Sequence, residues 1–168
     1  MATIKGRISA FLLLAFCALT PLPASVHADQ GLRASDDEFG PVVRAYLGYL
    51  KNEKEVVDDR ASRREVSAGY YRHNSNRIKA LRQMAIKLAR ETHNDYLPEL
   101  EAVSAEEMSL LFGSSPPPAA RLKPGEVLRN TFRFLGVVRV GEAFYLFARL
   151  DPYEQAELNE KSSAAVRP

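Results

Sequence analysis

The stretch Ser62–Thr92, SRREVSAGYYRHNSNRIKALRQMAIKLARET, decides how the rest of the chain is read. Val66, Tyr70, Leu81, Met84 and Leu88 recur at helical spacing, with Ile78 and Ala85 at the edge of the same stripe. Arg72, Asn76, Lys79, Gln83, Lys87 and Arg90 fall on the opposite side. Ser62-Arg63-Arg64-Glu65 has the spacing of a capping box, in which Ser62 and Glu65 satisfy otherwise free amide donors. From Arg60 to Arg90 there are nine Lys or Arg and a single acid, Glu65. The pattern predicts one long, basic, one-sided helix over 62–92.

Upstream, Asp36, Asp37 and Glu38 stand where negative charge favours a helix start, and Pro41 suits a first turn because it lacks an amide donor. Val42, Val43, Tyr46, Leu47, Leu50 and Val57 form a stripe, with Arg44, Lys51 and Glu55 opposite. This predicts a first helix over about 39–57, weakened at Gly48 by up to about 1 kcal/mol relative to Ala. Asp58-Asp59-Arg60 reads as a break, with a single bent helix through 58–61 as the alternative. An antiparallel pair then sets the acidic first helix beside the basic second and buries both stripes. Arg77 falls within the apolar stripe, so it needs a carboxylate partner. Pairing about a turn near 59–60 makes that partner Glu38. A helix of about 31 residues is roughly 46 Å long, against a diameter of roughly 37 Å for a 140-residue globule. A projecting apolar stripe needs a cover, and a second copy of the chain is the simplest one.

Downstream, the second helix is expected to stop around Thr92–Asn94, with Pro98 opening another short helix. Ser104-Ala105-Glu106-Glu107 repeats the capping-box spacing ahead of Met108, Leu110, Leu111 and Phe112, with Gly113 as the stop. Ser114-Ser115-Pro116-Pro117-Pro118 is a stiff connector. From Val127 to Leu150 the residues favour strand, and Gly141-Glu142 suits a two-residue turn. That turn sets Val140 against Ala143, Val138 against Tyr145, Val137 against Leu146, and Phe147 over Gly136. Asp151-Pro152-Tyr153-Glu154 begins a short helix to about Asn159. The fold class is therefore α+β. Residues 29–113 are helical, 114–125 form a Pro-rich connector, 126–160 form a β-hairpin and short helix docked on the helical part, and 161–168 are a loose tail.

The N-terminus has its own grammar. Lys5 and Arg7 precede an apolar run of 12 residues, Ile8 to Leu19, then Pro21, Pro23 and the small-residue end Val26-His27-Ala28. This is the pattern of a secretory signal cleaved after Ala28, and the run is short of the roughly 20 residues that span a bilayer. Phe16 before Cys17 argues against a lipoprotein. The short signal, and the loss of the only Cys with it, point to a bacterial periplasmic or extracellular protein.

The net charge of +2 belongs wholly to that signal, and the remainder is balanced but segregated. Residues 29–59 carry eight acids and four bases, 60–90 one acid and nine bases, 91–107 six acids and no base. Such blocks match one another more readily than they match an external anion. No phosphate loop, nucleophile elbow or cofactor motif is present. His73 and His93, if on one helix, stand about 30 Å apart and share no metal. His93 in Glu91-Thr92-His93-Asn94-Asp95 and the pair Asp58-Asp59 read as polar helix ends rather than chemistry. Arg72, Lys79, Lys87 and Arg90 form the best candidate for an anion-binding face, suited to an acidic polysaccharide or lipid headgroups. Aromatics do not interleave these residues, which disfavours nucleic acid. The leading expectation is a non-enzymatic exported protein acting through helix-mediated contacts with a protein partner or a second copy. Binding of an anionic envelope polymer is the alternative and an enzyme the third reading.

Overall fold

The computed structural model describes residues 36–165, which fall within one unit spanning 34–168. The predicted signal, residues 1–28, lies outside the described residues. After a 3-10 turn at Asp36–Glu38 come helix α1 (Pro41–Ser62), helix α2 (Ala68–Thr92), strand β1 (Leu100–Val103), helix α3 (Met108–Phe112) and a 3-10 turn at Ala119–Arg121. Strands β2 (Val127–Leu128), β3 (Phe132–Val140) and β4 (Glu142–Arg149) and helix α4 (Pro152–Ala165) complete the chain. The fold is α+β, with a four-stranded antiparallel sheet in the order β1-β4-β3-β2.

Helix α2 is the middle layer. Val43 and Leu47 of α1 meet it on one side, and Leu100, Ala102, Phe144, Leu146 and Ala148 of the sheet on another. Its own share of this core is Ala80, Met84, Ala85, Ile86 and Ala89, spread over far more of its circumference than one stripe. The far face of the sheet is covered by α3: Phe112 packs edge-on against Phe132 and Phe147, with ring centroids 5.6 and 5.3 Å apart. Strand β4 alternates perfectly between the two cores, Phe144, Leu146 and Ala148 facing α2, Tyr145 and Phe147 facing α3. A strand buried on both faces reads as a continuous apolar run.

Several sequence expectations are corrected. Asp58-Asp59-Arg60 is not a break. Lys54 pairs with Asp58 and Arg63 with Asp59 one turn apart, which offsets the unfavourable acids near a helix C-terminus and carries α1 on to Ser62. Ser62 therefore closes the first helix, its hydroxyl donating to the Asp59 carbonyl at 2.7 Å. The cap of α2 is Ser67, whose Oγ accepts from the Tyr70 amide at 3.1 Å. The 25-residue α2 is about 38 Å long, so the overhang argument for a covering partner falls away. Tyr70 is exposed rather than buried, with the Arg60 guanidinium over its ring. Pro98 does not open a helix; β1 forms there and pairs with β4, so the supposedly helical 29–113 segment contributes a strand. Helix α4 begins as expected, Asp151 Oδ1 accepting from the Tyr153 and Glu154 amides at 2.8 and 2.9 Å. It runs to Ala165, past the expected end near Asn159, so residues 161–165 belong to the helix and not to a loose tail; residues 166–168 lie outside the described residues.

The hairpin register differs by one residue. Gly141 alone makes the turn, at φ 72°, and Val140 stands against Glu142. The pairs are Val138–Phe144, Val137–Tyr145 and Gly136–Leu146. A bulge at Leu135 then shifts the ladder again, so Phe147 faces Phe134, 5.3 Å between centroids, and not Gly136. The bulge reverses parity: Phe132 and Phe134 face α3, while Val138 and Val140 face α2. Gly141 has a second reason to be glycine, because a Cβ there would lie 2.8 Å from Asn76 Nδ2 on α2.

The antiparallel helix pair is closed at its open end by Asp95. Its two oxygens accept from the Val42 and Val43 amides at 2.8 and 2.9 Å, capping α1 where Gly40 has no side chain to do so. A Cβ at Gly40 would lie 2.3 Å from Asp95 Cγ. Asp95→Ala should therefore cost about 1–2 kcal/mol of stability in urea unfolding, within the range for lost helix caps. A change below a few tenths would show that the clasp contributes nothing.

Candidate functional site

The four basic residues predicted as an anion-binding face, Arg72, Lys79, Lys87 and Arg90, are all exposed. Two of them are already engaged. Arg90 pairs with Glu38 at 2.8 Å and lies over the Phe39 ring, and Lys87 stands 3.8 Å from Glu91. Arg72 and Lys79 make no ion pair among the described residues. Lys79 borders a groove between α1 and α2 that also holds Asp36, Lys54, Glu55 and Arg82. Arg82 pairs there with Asp36 at 2.7 Å. The acidic segment before α1 thus takes up part of the basic block.

Glu38 is not the partner of Arg77. With the interhelical turn at 63–67 instead of near 59–60, antiparallel pairing brings Glu38 beside Arg90. Arg77 points instead towards the sheet, where its guanidinium meets Glu107. Around this pair a polar cluster joins three elements. His73 Nε2 lies 3.0 Å from Glu107 Oε1 and 2.8 Å from Arg77 Nη2, while Nδ1 lies 2.9 Å from Glu142 Oε2 at the hairpin tip. Asn76 donates to Glu142 at 3.4 Å, and the His73 ring packs 5.4 Å from Phe144. Glu107 Oε2 accepts from the Ser104 amide at 3.0 Å, one half of the predicted capping box. Arg77 Nε and Ser75 Oγ are buried without a partner among the described residues.

Two proton arrangements fit these atoms. A neutral His73 donates from Nδ1 to Glu142 and accepts at Nε2 from Arg77; a charged one donates to both carboxylates and forgoes the Arg77 hydrogen bond. Either way each group is held by its neighbours, as in a structural tie between α2, the β1–α3 turn and the sheet. The sequence pointed to Glu107 only as a helix cap, and Glu142 only as a turn residue.

His93 caps α2 at φ 51° and lies on a different feature, a cleft of about 490 Å³ bordered also by Glu38, Phe39, Arg90 and Asp95. The Asp95 oxygens there are occupied by the α1 amides. Among the described residues no group of three or more His, Cys, Asp and Glu is arranged to hold a metal ion. Asp58 and Asp59 are tied to Lys54 and Arg63 and do not face one another as an acid–base pair.

The remaining feature lies on the outer side of α1. Val42, Tyr49 and Val56 are 51, 56 and 53 % exposed and stand seven residues apart along the helix. Val43, Leu47, Leu50 and Val57 of the same helix are buried. The sequence reading places Val42 in the buried stripe and makes no use of Tyr49 or Val56.

No family model, curated protein or solved structure matches the chain.

The tie has a pH signature. Burial by itself pushes the Glu107 carboxyl up, but the Ser104 amide, the Arg77 guanidinium and His73 outweigh it and hold the group down at about 2. A carboxyl lowered on folding stabilises the protein above its unfolded value of 4.5, and that contribution is lost as pH falls towards about 2. Glu107→Gln should cost about 1–3 kcal/mol at neutral pH, discounted for partial exposure, with the gap to wild type closing on acidification. A gap independent of pH would contradict this role for Glu107.

Proposed function

We propose that the protein is an exported, non-enzymatic interaction protein of the cell envelope, and that its contact surface is the outer face of α1. The observation that carries this reading is the row of three large, exposed apolar side chains, Val42, Tyr49 and Val56. Exposed apolar side chains aligned along one helix mark an interaction surface more often than scattered single residues do. Large side chains at that spacing suit a helix lying alongside another helix. The N-terminal pattern of basic residues, short apolar run and small-residue end supports export. The alternative, an anionic polymer held by the basic face, draws on exposed Arg72 and Lys79. It loses force from the carboxylates already set against Lys87 and Arg90.

The two readings separate by mutation. Replacing Val42, Tyr49 and Val56 together with Ser should leave the unfolding midpoint nearly unchanged, because exposed positions contribute little to stability. It should also abolish the protein's association with envelope material. Replacing Arg72, Lys79, Lys87 and Arg90 with Gln should leave that association intact. If the second variant, and not the first, loses association in a salt-dependent way, the polymer reading replaces this one. Export has its own check: the processed chain should begin at Asp29.

A further inference from the structure

The geometry points to a small-ligand site in the groove between α1 and α2, one that takes a short unbranched acyl chain ending in a carboxylate. The groove is separate from the outer face of α1, and Val42, Tyr49 and Val56 do not line it.

Its two walls carry one pattern. Leu50-Lys51-x-x-Lys54 on α1 and Ile78-Lys79-x-x-Arg82 on α2 each set an apolar residue, a lysine beside it and a second base one turn on. Residues three and four apart share a helix face. In the antiparallel pair each wall therefore gives the groove an apolar base and a basic rim. Leu50 is only 2 % exposed and forms the floor with the half-buried Ile78. The volume is about 300 Å³, at the small end of ligand sites. The lining is chiefly apolar, although only Leu50 and Ile78 of its eight residues are. The rest of that apolar lining comes from the methylene stems of the basic side chains.

The charges select the end group. Arg82 is taken by Asp36 at 2.7 Å, and Lys54 is held by Asp58 with its ammonium 5.3 Å from the centre of the Tyr71 ring. Lys51 stands 4.0 Å from Glu55 with both side chains largely exposed, a pairing that contributes little. Lys79, exposed on the facing wall, makes no ion pair among the described residues. One unpaired ammonium, with a second loosely held on the other helix, matches a single negative charge. A polyanion would also meet the rim acids Asp36 and Glu55, and a neutral chain would leave Lys79 unused. An ammonium is a compact point charge that receives a carboxylate from many directions, which suits an end group on a flexible chain. The small volume admits one short chain and excludes a whole lipid or a polymer segment.

The test is a residue-resolved NMR titration of the purified chain with octanoate. Acetate supplies the charge without the chain, and octanol the chain without the charge. Octanoate should shift the amides of Leu50, Lys51, Ile78 and Lys79 together and saturably, with a dissociation constant on the order of 1 mM. Acetate and octanol should each bind at least about fivefold more weakly. Lys79→Gln should raise the octanoate constant about threefold or more and leave that of octanol unchanged, whereas Lys54→Gln should alter it less. Equal binding of acetate or octanol would overturn the proposal, as would shifts confined to residues away from the groove. The Val42, Tyr49 and Val56 triple Ser variant should bind octanoate as the unaltered chain does. Failure of octanoate binding and failure of the α1 contact surface are thus read separately.

Discussion

The structure depends on α2 being buried from two sides at once. Ala80 and Ala85 are fully buried, and Ala89, Met84 and Ile86 nearly so. α1 shares the core with the sheet chiefly through these residues. Small side chains at the contact points let α1 and the sheet approach the same helix closely, where leucine would hold them apart. The middle position also explains the outer face of α1. That helix has one neighbouring layer, so the side turned away from α2 is left to solvent or to a partner.

Two polar devices fix what the apolar core leaves loose. Apolar contact alone is tolerant of sliding, whereas a hydrogen-bonded charge is specific about position. Asp95 pins the start of α1 to the end of α2, setting the register of the helix pair. The His73–Arg77–Glu107–Glu142 cluster does the same between α2 and the sheet. It grips the hairpin at its tip, where Gly141 has room only for hydrogen against Asn76. Both devices join residues far apart in the chain.

That distance is why they were not legible in the sequence. Local signals were read well where local physics decides. The α+β class, the stop of α2 at Thr92, Gly113 after α3 and the Asp151 cap all follow from nearest-neighbour chemistry. The α1–α2 junction was misread because Ser62-x-x-Glu65 and Ser67 compete as helix starts, and the i,i+4 pairs of Asp58 and Asp59 tipped the balance towards extending α1. β1 has four residues, too few to show a period. The hairpin register turned first on the one-residue turn at Gly141, where two residues were expected, and again on the bulge at Leu135, which lets the strand serve two cores. The Arg77 partner followed from the misplaced turn. A single-stripe reading of α2 also hid its second buried face, so alanines that carry the packing looked like background.

The central claim, that α2 is the layer through which the rest of the unit is assembled, is tested most directly by native-state amide hydrogen exchange. Amides of α2 from Ile78 to Ala89 should exchange only through global unfolding, with free energies equal to that of the whole unit, and those of α1 at equal or lower values. Slower exchange in α1 than in α2, or release of α2 amides in a partial opening that leaves the sheet and α1 protected, would contradict the account.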